Sequence, residues 1–151
     1  MLTPIRASDS IQLPFAPEAV WRVLEDVRLY PEWWPASLHL RITAEGAGPL
    51  GTEFEICPPG GRPFRCLVES LDPPRSIRMR YSADFIQGHG QWRLEPVEAA
   101  TRVTYELDVA ARGLLVAVLS RFMDLPEAHS REMRLVLRNL GTRLQERPTS
   151  T

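Results

Sequence analysis

The spacing of apolar residues changes period twice along this chain. Near the start, Ile11, Leu13 and Phe15 alternate with Gln12 and Pro14, which predicts a half-buried strand. Pro17 then takes the position a helix prefers for its first residue. Val20, Val23, Leu24 and Val27 follow at i, i+3, i+4 and i+7, one apolar stripe on a short helix. Pro31 and Pro35 interrupt regular structure on either side of Glu32, Trp33 and Trp34. From Ser37 the period becomes two. Leu38, Leu40 and Ile42 predict one strand, and strands at about Thr52–Cys57 and Phe64–Leu71 come next, joined by a Pro-Gly-Gly loop. Ile77, Met79 and Tyr81 follow the Asp72–Pro74 turn. Gly88, Gly90, Trp92 and Leu94 share the next strand, and Val103, Tyr105, Leu107 and Val109 the last.

Gly113 ends the strands, and Leu114 to Met123 is apolar and helical in character. Pro126 opens a longer helix reaching Glu146. Its His129, Met133, Val136, Leu140 and Leu144 fall at spacings of four, three, four and four, hence on one face. The tail RPTST reads as disordered. These elements predict an α+β fold. A curved antiparallel sheet of six to seven strands wraps a long C-terminal helix, with two short helices after the first strand. Space between sheet and helix would suit an apolar ligand.

Composition narrows the function classes. The 151 residues fit one domain spanning 1–151, with an ordered core from about 8 to 146. A chain of this size buries roughly 70% of its unfolded surface, so it needs neither disulfide nor metal to fold. A net charge of −1 gives no general attraction to nucleic acid. The opening MLTPIRASDS has no apolar run and does not read as a signal peptide. No apolar stretch is long enough for stable membrane insertion, so a cytoplasmic location is expected. All 18 basic residues are arginine, which excludes Schiff-base chemistry on lysine. Alternation turns Cys66 inward and Cys57 outward, so the two thiols are expected to stay free.

The inward set can be written out from the strand patterns. Pairing Trp92 with Tyr105 and Leu94 with Val103 satisfies both alternations of the last hairpin, and sets Gly90 opposite Leu107 and Gly88 opposite Val109. Two inward glycines read either as a cavity or as a bend or close approach of the final helix. Trp34, Phe54, Met79, Tyr81, Trp92, Tyr105, Phe122 and Met133 would line such a cavity, or else form plain core. Cys66, Ser70, the two tyrosine hydroxyls, the Trp92 indole and His129 are the polar minority on the same faces, and such groups orient a ligand in an apolar cleft. His129 lies on the apolar face in the first turns of the last helix. It reads as a neutral general base or hydrogen-bond partner, or as a histidine at the helix edge. His39 and His89 are expected to face outward. No metal-ligand spacing, nucleophile elbow or phosphate-cradling loop is present in the sequence, and no cofactor is expected. Arg65, Arg75, Arg78 and Arg80 fall on the outer sheet face, where Glu53, Glu55, Glu69 and Glu106 can offset them.

The opening PFAPEAVWRVLEDVRLYPEWWP, the strands GQWRLEPVEAATRVTYEL and the C-terminal helix together resemble the START-like, or SRPBCC, superfamily with its helix-grip fold. Within it the chain looks most like the bacterial polyketide cyclase/dehydrase-like branch. The resemblance implies a small hydrophobic or aromatic ligand, lipid- or polyketide-like, held between sheet and helix. It leaves open a cyclase/dehydrase-type enzyme in which His129 and Tyr81 or Tyr105 act as acid and base. A third possibility is a protein-interaction module anchored by an exposed Trp33 or Trp34. The oligomeric state is not legible.

Overall fold

The first strand, β1, runs from Leu2 to Leu13 and begins well before the run of large apolar residues that announces it. Its early inward positions are Thr3, Ile5, Ala7 and Asp9, where only Ile5 is large and apolar, too little to register as a strand by hydrophobicity alone. The computed structural model describes residues 2–113 and 124–146 of the chain. Expectations for Leu114–Met123, Phe122 among them, and for residues 147–151 lie outside those described residues.

Helix α1, Pro17–Glu25, starts with Pro17 in its first turn and buries Val20, Trp21, Val23 and Leu24. A short 3-10 turn at Val27–Leu29 leads into α2, Tyr30–Trp33. The strand expected to include Leu38 is instead a 3-10 turn at Ala36–Leu38. His39 follows with φ 46°, a left-handed residue that breaks the extended run. Strand β2 therefore covers only Arg41–Ala44. Then come β3, Glu53–Ile56, β4, Phe64–Asp72, β5, Ser76–Ala83, β6, Ile86–Val97, and β7, Ala100–Arg112. Helix α3, Leu125–Glu146, completes the described structure.

The seven strands form one antiparallel sheet in the order β1-β7-β6-β5-β4-β3-β2. Six of the strands follow one another as a meander, and β1 returns to pair with β7 from Leu2↔Arg112 to Leu13↔Thr101. The last hairpin has the expected register, with Trp92↔Tyr105, Leu94↔Val103, Gly90↔Leu107 and Gly88↔Val109. Helix α3 packs on β1 and against both α1 and α2. Met133, Val136, Leu137, Leu140 and Leu144 form its buried face. At its far end Asn139 Nδ2 donates to the Trp33 carbonyl at 2.8 Å, and Arg143 pairs with Glu32 at 2.9 Å. Each ties α2 to α3.

The two sheet faces differ in kind. The convex face carries ion pairs across neighbouring strands, among them Arg6–Asp108 at 3.2 Å, Arg93–Glu106 at 3.2 Å and Arg65–Glu53 at 3.7 Å. Glu69 receives Arg78 at 3.3 Å, Arg80 at 3.0 Å and His89 at 3.1 Å. The outward placement of His89 and the solvated arginines thus follows the expected alternation. The concave face is aromatic and aliphatic, and with α1, α2 and α3 it makes the core.

Candidate ligand-binding site

Most of the anticipated inward set is found together on the concave face. Phe54, Cys66, Met79, Tyr81, Trp92 and Tyr105 are buried there on β3 to β7, and Met133 meets them from α3. Cys66 and Cys57 are free thiols, Cys66 fully buried and Cys57 partly exposed beside the Gly61 carbonyl. Ser70 is a correction. The register of β4 against β5 shifts between Val68 and Ser70, so Val68 faces Met79 but Ser70 faces outward Arg78. One extra residue at a bulge moves everything after it to the opposite face. Ser70 is accordingly exposed and takes no part in the site.

Trp33 and Trp34 are a second correction, since both are only 6% exposed. Their rings pack on Tyr30, Trp34 stacked at 5.2 Å and Trp33 edge-on at 5.3 Å. Neither is available as an exposed anchor for a partner. Tyr30, the first residue of α2, was not counted in the inward set, although it stands three residues after Val27. Its hydroxyl donates to the Leu24 carbonyl, and its burial raises its pKa.

From Trp34 the aromatic contacts run on in one line. Trp34 meets Trp92 edge-on at 6.5 Å, Trp92 meets Tyr105 edge-on at 4.8 Å, and Tyr105 stacks with His129 at 6.2 Å. The Tyr81 and Tyr105 hydroxyls are hydrogen-bonded to each other. One of the two phenolic protons is used in that bond, which leaves the other to donate elsewhere. Burial raises both tyrosine pKa values, and the mutual proximity of the phenols and of Cys66 adds to it for Tyr105. Both therefore stay protonated at neutral pH and act as donors, not as bases.

The glycines make room for that pair. A Cβ on Gly90 would lie 2.8 Å from the Tyr105 ring carbon bearing the hydroxyl and 2.8 Å from a Tyr81 ring carbon. The volume that glycine vacates is thus filled by the two phenols. Gly88 has φ +146° and would place a Cβ 2.6 Å from the Val109 Cα. The neighbours that come close to these glycines are the tyrosines and β7, and not the final helix.

Three nitrogens in this line are buried without a hydrogen-bond partner: Trp34 Nε1, Trp92 Nε1 and His129 Nδ1. The Trp92 indole approaches the Tyr30 hydroxyl closely enough to favour its ionised form, yet its N–H completes no hydrogen bond. An unsatisfied buried polar group costs about 1–3 kcal/mol. Burial lowers the His129 pKa to about 4, and the nearby Asp9 carboxylate opposes that shift. The imidazole is consequently neutral at neutral pH, as its place near the start of α3 led one to expect.

Asp9 is the site residue that the sequence reading missed. It lies opposite Tyr105 in the β1–β7 register and accepts a hydrogen bond from Ser130 Oγ at 2.9 Å. The signal was present as a charged residue in the alternating series Ile5, Ala7, Asp9, Ile11 and Leu13. Starting the strand at Ile11 hid it. Among the described residues no group of His, Cys, Asp and Glu is placed to hold a metal ion, and no helix is long and apolar enough to cross a membrane.

The family described as "Polyketide cyclase / dehydrase and lipid transport" matches residues 4–145 of this sequence. The chain belongs to that family. Solved structures with the same fold include the Zhui aromatase/cyclase from Streptomyces sp. R1128. It is 20% identical with a TM-score of 0.76, and the match covers 96% of each chain. A START superfamily protein from Mycobacterium smegmatis is 15% identical with a TM-score of 0.69, over 93% of this chain and 97% of that one. Norcoclaurine synthase from Thalictrum flavum, in complex with dopamine and hydroxybenzaldehyde, is 8% identical with a TM-score of 0.75, over 99% and 91%. At these identities the likeness is one of fold. No curated protein matches the sequence. Family and fold together establish the START-like, helix-grip assignment that the sequence resemblance implied.

Proposed function

We propose that this family member binds a small, largely apolar or aromatic molecule, lipid- or polyketide-like, between the concave sheet face and α3. The observation that carries the reading is the set of unpartnered buried nitrogens on Trp34, Trp92 and His129, joined through Tyr105 into one aromatic line. Natural cores rarely leave such groups orphaned. A ligand bringing oxygen acceptors to the indole N–H groups would recover the cost. A lining of rings with a few convergent polar groups is also how small-molecule sites are usually built.

The enzyme reading draws on the same residues. His129 is neutral and stacked on Tyr105, and the Tyr81–Tyr105 pair has a proton to give. A carbonyl ligand could be polarised there by a tyrosine hydroxyl. A pKa near 4 nevertheless makes His129 a weak proton acceptor, and efficient general bases are matched to the working pH. This favours binding over proton abstraction.

Native mass spectrometry of the purified protein for a co-purifying small molecule tests the reading directly, and an apolar naphthalene dye tests it without a known ligand. Saturable dye binding that weakens at least several-fold in Trp92→Phe supports it. Absence of both a co-purified ligand and dye binding would remove it. His129→Ala that retains dye binding and abolishes turnover of a bound polyketide-like substrate would move the assignment to the enzyme.

A further inference from the structure

The binding reading leaves one group unexplained, the carboxylate of Asp9. Every other Asp, Glu and Arg of the described strands lies on the convex face or at a strand end. Asp9 alone shares the concave face, between Ile11 and Ala7 and opposite Tyr105. A charge placed there is costly unless something answers it. What answers it among the described residues is modest. Ser130 Oγ donates one hydrogen bond to Oδ2. Arg134, a cation on the same helix that also senses Asp9, is committed to Glu127 at 2.8 Å and points into water.

His129 supplies the second observation. Its ring adjoins Ser130 in sequence, stacks on Tyr105 and lies near Asp9, and its Nδ1 is buried with no partner. A neutral imidazole presents one nitrogen as an acceptor. Two acceptor groups thus meet at the end of the aromatic line, the Asp9 carboxylate and the His129 imidazole. At the opposite end, the Trp34 and Trp92 indoles present donors. The polarity of the site runs from donor to acceptor along a row of rings.

We propose that this polarity selects a ligand with a protonated amine, and that Asp9 is its specificity-determining residue. The ammonium donates to the Asp9 carboxylate and to the imidazole nitrogen of His129. The aromatic or apolar body of the ligand lies along Tyr105 and Trp92, and an oxygen at its far end accepts from an indole N–H. No covalent step is involved. This inference rests on the binding reading and adds a charge requirement to it.

Tyramine and 4-ethylphenol make a matched pair of probes that differ by the amino group. Isothermal titration of the intact protein should show tyramine binding at least tenfold tighter than 4-ethylphenol. Asp9→Asn keeps an oxygen for Ser130 while removing the charge, and should erase the difference between the two probes. N-acetyltyramine, with the amine neutralised, should bind wild type no better than 4-ethylphenol, which tests the point without any variant. Equal affinity of tyramine and 4-ethylphenol for wild type would overturn the proposal while leaving the binding reading intact. So would a tyramine preference that persists in Asp9→Asn, or dye binding with no response to either phenol. Failure of the dye and of both phenols to bind would end the binding reading and the proposal together.

Discussion

The two faces of the sheet carry polar groups in opposite ways. On the convex face charges meet opposite charges on neighbouring strands in contact with water, and exposed ion pairs of that kind contribute about 0–1 kcal/mol each. On the concave face there are few polar atoms, several of them have no partner, and water is largely excluded. The same strands build both, since successive residues point to opposite sides. The convex pattern keeps the sheet soluble and discourages wrong pairings. The concave pattern leaves buried nitrogens unsatisfied, and the proposed binding reading rests on that cost.

Mutations can break this contrast. The largest effect should come from Leu140→Ala, because Leu140 is fully buried on the α3 face against the sheet. Its loss should cost about 2–5 kcal/mol in urea-induced unfolding, as for other core truncations. Gly90→Ala comes next. The added methyl group would collide with the Tyr81 and Tyr105 rings, and overpacking of this sort costs about 1–3 kcal/mol. Near-ultraviolet circular dichroism should register the displaced tyrosines. An unchanged spectrum and melting temperature would show that the phenols are free to move aside. A leucine at the same position should destabilise further, so it cannot serve as a silent plug of the site.

A pH titration sharpens the contrast at a single residue. His129 has a folded pKa lowered to about 4 from 6.5, so the unfolded chain binds a proton more readily than the folded one between those values. Its contribution to stability is fully present above about pH 6.5 and is lost as pH falls toward 4. Allowing for the part of the ring that meets water, the loss should be about 1–2 kcal/mol. Comparing the wild type with His129→Gln across that range isolates it, because the variant lacks that contribution to the slope. Smallest of all, Glu69→Gln on the convex face removes one carboxylate from two arginines and a histidine. It should change stability by less than about 1 kcal/mol and become silent in high salt. A larger effect would mean that the convex face is not simply solvated.

How far the sequence could be read follows the same physics. The β6–β7 hairpin was legible in full register because both strands alternate without interruption and only one pairing buries both apolar sets. Ser70 was misplaced because a bulge leaves the composition of a strand unchanged while reversing its facing. Trp33 and Trp34 were misjudged since flanking prolines describe the backbone and say nothing about what covers the rings. Asp9 was lost because its half of β1 is mostly small or polar, held by backbone pairing with β7 and not by its own hydrophobicity. The grouping of His129 with Tyr105 and the Tyr81–Tyr105 bond are long-range facts, fixed only once α3 is laid on the sheet.

The return of β1 to the far edge of the meander has a consequence for how the chain is made. Ser10 bonds to Thr104 across 94 positions of sequence, and Asp9 bonds to Ser130 across 121. During synthesis the first strand emerges with no strand to pair with, and its partner follows only after the five intervening strands have appeared. The meander from β2 to β7 can zip up by neighbouring hairpins. The edge left on β7, and the concave face awaiting α3, stay open until the two ends of the fold are brought together. Non-local closure of this kind is slow, and it exposes strand edges while it is pending. The Asp9–Ser130 bond, which ties β1 to α3, belongs to that long-range closure and not to the local hairpins.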